Sequence, residues 1–426
     1  MKRLLPLLLL PMVTACAIAS PFAPDAASQG ARAYGADRDG VAIVKGYYAS
    51  LVKRDPQLVA KKYELMSDSA FAFFRGSAHL FYADVAKDKG LASSLKIPLM
   101  GDLHLENLGT YQTSEGSLAY DLNDFDESFV GPYTWEVARC ATSILLAADE
   151  AGLKAGEGRD LVETFLVAYR DAVKGLAKNP QTLSRPLGAE NLHGPAVEAI
   201  ASASKASRAD FIAKQTERGS FKLGKKLSAC DEGTRERLRA AVAAYAAGRS
   251  EGARFYRVKD VAARLAGVAS IGRYRYVALI EGASESPDDD VILEFKEEAT
   301  SAAAPYAASP VADEAARVAQ AYRYFLPGAD RFLGTARVQG LDYLIRELQP
   351  AKGGVELADL KGSKGFASHM PAVALAAARA HARSGRVSDL IADMGDEKAF
   401  VARIRDFAVA YHDQVQEDHR AFKKQR

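Results

Sequence analysis

Asp102 and Asn107 lie five residues apart in Gly101-Asp102-Leu103-His104-Leu105-Glu106-Asn107. At that spacing an aspartate can take the proton of an attacking hydroxyl while the asparagine amide oxygen helps to hold a metal ion. A Ser/Gly turn at residues 114–117 separates this loop from Leu118-Ala119-Tyr120-Asp121-Leu122-Asn123-Asp124-Phe125-Asp126, which reads as one strand of a hairpin ending in carboxylates. Magnesium prefers hard oxygen ligands and often takes only one or two carboxylates from the protein, together with substrate phosphates. Asn107 and Asp124 are therefore the candidate metal ligands, Asp102 is the candidate catalytic residue, and the chemistry they suit is phosphoryl transfer to a hydroxyl. His104 has no second histidine at ligand spacing and reads as structural. Asp121 and Asp126 read as supporting groups or as a solvated strand end.

Phosphate chemistry also needs cations. Arg75, inside the aromatic run at 69–78 and next to Gly76 and Ser77, can meet a phosphate or one of the loop carboxylates. Gly267, Ser270 and Gly272 form a G-x-x-S-x-G loop, followed by strands predicted over 274–280 and 291–297, the second bearing Lys296. An amphipathic helix over 310–325, a strand over 341–348 and a Gly353-Gly354 break come next. This order resembles a protein-kinase small lobe, in which a phosphate-covering loop precedes the lysine that pairs the phosphates. Gly267, Ser270, Gly272, Lys296 and Arg75 are the candidate cofactor-binding residues, and ATP with Mg2+ is the cofactor pair that the resemblance implies.

The elements that must position these residues are mostly helices. Apolar residues recur at helical spacing over 41–52, 56–66, 135–149, 161–176, 195–213, 234–247, 371–383 and 397–422, while the basic stretch 220–231 reads as a connecting loop. The expected fold class is α+β: a two-lobed, protein-kinase-like fold with a mainly helical large lobe and a small antiparallel-sheet lobe. Residues 41–250 would form the helical lobe with the catalytic-loop-like motif, 251–352 the sheet lobe, and 353–426 the helices that complete the helical lobe. The catalytic loop then precedes the small lobe in the chain, so the fold would be circularly permuted, which packing tolerates where termini lie close together.

The chain of 426 residues is 48% hydrophobic and 26% charged with a net charge of +2, so it has the composition of a soluble globular protein and no case for a nucleic-acid surface. Its start is different. Lys2-Arg3, an apolar run over 4–13 and Thr14-Ala15-Cys16 describe a secretory signal over residues 1–15. The cysteine after Val13-Thr14-Ala15 resembles a bacterial lipobox, which implies lipidation of Cys16 and, with Ala17 next, sorting to the periplasmic face of the outer membrane. Residues 16–40, rich in Ala, Ser, Gly and Pro, read as a flexible tether, so the membrane is met by lipid anchor only. Cys140 and Cys230 remain as one disulfide or two thiols.

FAFFRGSA at 71–78, GDLHLENLGTY at 101–111, DLNDFDES at 121–128, GPYTWEVAR at 131–139 and ARAHARSG at 378–385 together resemble an uncharacterised bacterial family, domain of unknown function 2252. The helix over 371–383 is similar to the one preceding the catalytic loop in aminoglycoside-phosphotransferase-like kinases. The expectation is a magnesium-dependent phosphotransferase acting on a small molecule or envelope component. Two departures stand against it: Ala269 replaces a loop glycine, and Gln320 stands where a glutamate partner of Lys296 is expected. An exported protein also meets essentially no ATP. The alternative is a catalytically silent lipoprotein using the same cleft to bind an envelope ligand or partner; a metal-dependent phosphohydrolase is third.

Overall fold

The helix Tyr133–Glu150 is apolar on nearly every side, and every residue from Tyr133 to Ala148 is buried. A helix without a polar face must be enclosed by other helices. Ala155–Lys178, Gly362–Ala382 and Glu397–Lys424 do this. The computed structural model describes Tyr34 and residues 38–265, 271–307 and 313–425. The signal over 1–15, most of the tether, Cys16, Gly267 and Ser270 lie outside the described residues.

Five short helices precede the central one: Gly40–Tyr47, Ala49–Arg54, Pro56–Asp68, Ala70–Gly76 and Ala78–Val85. Asp39, Asp55 and Ser69 start three of them by accepting hydrogen bonds from the N–H groups of Ala42, Leu58 and Ala72. Strands β1 (Lys96–Leu99), β2 (Leu108–Gln112), β3 (Leu118–Leu122) and β4 (Phe129–Pro132) follow. β1 pairs with β4 and β2 with β3, both antiparallel, and Leu108 faces Leu122. Residues 100–107 and 123–128, which carry the candidate chemistry, are the connections between these two pairs.

β5 (Thr216–Glu217) and β6 (Ser220–Phe221) form a small hairpin. β7 (Leu227–Ala229), β8 (Val258–Arg264), β9 (Arg275–Ile280), β10 (Val291–Glu297), β11 (Gly334–Val338) and β12 (Leu341–Glu347) make an antiparallel sheet in the order β11-β12-β10-β9-β8-β7. Leu238 and Val242 of helix Glu232–Ala246 pack on one face against Val261, Phe295 and Ile345. The other face takes Ile212 of helix Arg208–Gln215 against Leu279 and Ile292. On that face Leu344 also joins the core containing Val318 and Tyr322 of helix Glu314–Phe325. With both faces covered, β10 is buried at every residue.

The chain is thus a mixed helix and sheet protein, and all of its described strand pairs are antiparallel. Some expectations change. The stretch 220–231 is not merely a connecting loop: it holds β6 and the edge strand β7, whose shortness and lysine-flanked sequence conceal it. The helix expected over 195–213 is two helices, Pro195–Ala203 and Arg208–Gln215. The one expected from 310 starts at Glu314, where the Asp313 side chain accepts from the Ala316 N–H. Cys140 and Cys230 are free thiols, one buried and one partly buried. Among the described residues no helix is long and apolar enough to cross a membrane.

Candidate functional site

Gly101 begins the site, and its backbone makes the site possible. Its φ is +92°, and a Cβ there would fall 1.8 Å from the Glu127 carbonyl oxygen. Only glycine allows the 101–107 loop and the 123–128 segment to approach this closely. Its N–H donates to Glu136 Oε1 at 2.7 Å, and its carbonyl accepts from the Tyr82 hydroxyl. Glu136 Oε2 is 2.8 Å from His381 Nε2, and His381 Nδ1 is 2.8 Å from the Tyr169 hydroxyl. Three core helices therefore hold the start of the loop in place.

Asp102 follows, buried in the cleft. Its Oδ1 accepts from Arg139 Nε at 2.7 Å and also meets Arg139 Nη2, while its Oδ2 faces His104 Nε2 at 3.7 Å. Burial raises the Asp102 carboxyl above the usual aspartate range against the opposing pull of Arg139. His104 is held well below its usual range by burial and then by Arg75 and Arg139, so the imidazole is neutral. Its Nδ1 accepts from the Glu106 N–H at 3.2 Å, which fits a structural role. Asn107 Nδ2 donates to the Asp102 carbonyl at 2.8 Å, so its amide oxygen is turned away from the loop.

Across the hairpin, Phe125 is fully buried between Phe325, stacked at 5.2 Å between centroids, and Tyr322, edge-on at 4.6 Å. That anchor sets Asp124 and Asp126 on either side of it, beneath the sheet. Lys296 Nζ donates to Asp124 Oδ1 at 3.0 Å and to Asp126 Oδ1. Burial disfavours the Lys296 ammonium, but Asp124 and Asp126 outweigh it and raise its pKa. Burial also opposes the Asp124 carboxylate, yet Lys296 holds it below the usual range. Asp126 is pushed up to about 6 by burial and by Asp124. Glu298, buried with an unpartnered Oε1, is raised well above its usual range by burial and then by Asp126.

Arg317 fastens this segment from the helix Glu314–Phe325. It donates to the carbonyls of Ser128 (2.8 Å), Asp126 (2.8 Å) and Ala299 (3.0 Å). Gln320, expected to face Lys296, is exposed instead, because the helical phase turns Arg317 inward. Lys296 finds its carboxylates on the hairpin side.

One cleft is lined by Arg75, Asp102, Asn107, Asp124, Asp126 and Glu298, so the spacing-derived candidates converge there. Arg75 is occupied by an ion pair with Glu106. Gly272 has φ +96°, and a Cβ there would lie 3.1 Å from Leu51 Cδ1, placing it against the helical part. Arg139, Glu127 and Glu298 went unnoticed in the sequence. Arg139 and Glu127 carried a signal, as residues of the GPYTWEVAR and DLNDFDES blocks, and Glu298 carried none. Among the described residues no group of three or more His, Cys, Asp or Glu side chains is arranged to hold a metal ion. Asn107 and Asp124 supply one amide and one carboxylate oxygen on the same cleft, a donor set that fits magnesium when phosphate oxygens complete its shell.

A family model described as an uncharacterized protein conserved in bacteria, DUF2252, matches residues 54–425. The chain belongs to the DUF2252 family. Arg75, Asp102, Asn107, Asp124, Asp126 and Glu298 fall within the matched span, while Tyr47 and Tyr48, which line the same cleft, precede it. The chain matches no curated protein and no solved structure.

Proposed function

We propose that this DUF2252 protein is a magnesium-dependent phosphotransferase with a kinase-like, circularly permuted arrangement, moving a phosphoryl group from a phosphoanhydride donor such as ATP to an acceptor hydroxyl. The observation that carries the reading is the bond from Lys296 to Asp124, a residue that lines the same cleft as Asp102 and Asn107. Lys296 lies on the third of the successive strands β8, β9 and β10, and the helix Glu314–Phe325 follows it, as in the small lobe of a kinase.

In this reading Lys296 pairs the donor phosphates, and Asn107 with Asp124 would hold magnesium, which supplies charge neutralisation at those phosphates. The acceptor oxygen forms a bond to the terminal phosphorus. The phosphoanhydride P–O bond breaks, and its electron pair leaves with the shortened phosphate. The hydroxyl proton passes to Asp102 Oδ2, the oxygen not taken by Arg139. Burial, by raising the Asp102 pKa, suits it to accept that proton.

Residues 1–16 support anchoring as an exported lipoprotein through Cys16, on the periplasmic face of the outer membrane. Cys16→Ser should then move the protein from the membrane to the soluble fraction. One observation favours a second reading, a silent lipoprotein that binds an envelope ligand: the Arg139 guanidinium already occupies Asp102. Thermal unfolding with ATP and Mg2+ separates the two. Ligand at a hundred times its dissociation constant adds about 2.7 kcal/mol. A magnesium-dependent rise lost in Lys296→Ala supports the phosphotransferase; no rise at millimolar nucleotide moves the function to the silent binder.

A further inference from the structure

The sheet face above Asp124 carries far more positive charge than Lys296 alone. Glu294 and Lys296 point the same way from β10, being two residues apart. Arg346 of β12 sits opposite Glu294 and Arg275 of β9 opposite Lys296. Glu294 accepts from Arg346 Nε at 2.9 Å, from Arg275 Nη1 at 3.3 Å and from Arg264 at the end of β8. Four adjacent strands thus present a cation each, and one carboxylate serves three guanidiniums. Arg275 is nine-tenths buried and its Nε has no partner.

The excess is felt by the neighbours. Burial lowers the Arg264 guanidinium, and Arg275 and Arg346 push it the same way against Glu294. Lys352, beyond the end of β12, is lowered first by Arg346. Lys352 and Arg346 line a second cleft with Asn123, Gln349, Asp330 and Glu347, next to Asp124 along the hairpin. Asp330 accepts from the N–H groups of Phe332 and Glu347, and the Glu347 carboxylate pairs with Arg208, so both carboxylates are already engaged. Small-molecule sites that hold a ring are mostly apolar with a few polar groups. Here the sheet offers guanidinium and ammonium groups, which match the oxygens of phosphates instead.

We propose that Arg264, Arg275, Arg346 and Lys352 continue the Lys296 site as a track for a linear phosphoanhydride chain of three or more phosphates, recognised without its base. The track rests on the phosphotransferase reading and specifies its donor as inorganic polyphosphate or the triphosphate of any nucleotide. The base makes no contribution.

Calorimetric titration of the full-length chain with tripolyphosphate, ATP, GTP or adenosine, each with Mg2+, tests this. Tripolyphosphate and both nucleotides should bind within about threefold of one another, and adenosine should not bind. Arg346→Gln should weaken all three by about tenfold or more. Because Arg346 also bonds the Tyr322 hydroxyl at 2.5 Å and could affect folding, Lys352→Ala, at an exposed side chain, is the second variant and should weaken them too. ATP binding without tripolyphosphate binding, competition by adenosine, or unchanged affinity in Lys352→Ala would overturn the track while leaving phosphoryl transfer standing. Binding of none of the triphosphates would overturn both. Equal binding of tripolyphosphate and ATP with turnover of only one identifies which source is used.

Discussion

Lys296 Nζ stands 3.0 Å from Asp124 Oδ1 although 172 residues separate them in the chain. The contact joins the six-stranded sheet to the β2–β3 hairpin, and the lysine side chain is 1% exposed. Lys296→Met should therefore destabilise the fold as well as the site. Breaking a buried ion pair costs about 3–5 kcal/mol, and the partial exposure of Asp124 and Asp126 screens this to roughly 2–3 kcal/mol. Urea unfolding measures the loss. Adding Asp126→Asn should recover part of it, since one fewer carboxylate is left without its cation.

Asp102→Asn preserves shape and leaves an acceptor for Arg139 while removing the proton acceptor. Magnesium-dependent transfer should fall by roughly 10²-fold or more with an unchanged circular-dichroism spectrum. Wild-type rates in this variant would remove Asp102 from the chemistry.

Gly101 and Gly116 make a controlled comparison, with φ of +92° and +90° respectively. A methyl at Gly116 meets open space, whereas at Gly101 it meets the Glu127 carbonyl. Gly116→Ala should cost only about 1 kcal/mol from backbone strain. Gly101→Ala should cost several times that and disturb the spacing of Asp102 from Asp124, read as lost ligand-induced stabilisation.

His369 is fully buried and neither ring nitrogen has a partner. Burial lowers its pKa to about 4, so the folded protein keeps it neutral where the unfolded chain protonates near its ordinary value. The unfolded state then binds more protons between roughly pH 6.5 and 4, and stability falls as pH falls through that window, by about 1.4 kcal/mol per unit. Above it the contribution is constant. His79, lowered to about 3 by burial and then by Lys62, acts in the same direction. Urea unfolding of His369→Leu at about pH 7 and about pH 5 should show a shallower acid loss than wild type.

Asp102, Asn107 and Asp124 were legible because they belong to two local segments whose spacing and turn bring them together. Lys296 was legible as a strand residue, but its carboxylates were not: helical phase turns Gln320 to solvent and Arg317 to the hairpin, a rotation that spacing alone does not set. Arg139 lies in a helix whose apolar residues dominate its pattern, and the role of its guanidinium depends on Asp102, a partner from a loop 37 residues away. β7 escaped notice because three residues at a sheet edge owe their conformation to pairing with β8 rather than to their own pattern. The free state of Cys140 and Cys230 follows from which elements carry them, a central helix and the segment just after β7.

The sheet is an insertion, entered after helix Arg208–Gln215 and left before helix Gly362–Ala382. Its exit is stitched to the hairpin: the Thr110 N–H donates to the Gly353 carbonyl at 2.7 Å, and the Gly353 N–H to the Thr110 hydroxyl at 2.6 Å. A door hung from one strap swings freely, whereas one tied at two corners can only flex. The Lys296–Asp124 contact and the Thr110–Gly353 stitch tie the sheet to the hairpin at two places, so movement at this cleft is confined to small sliding of the sheet and to side-chain motion rather than wide opening.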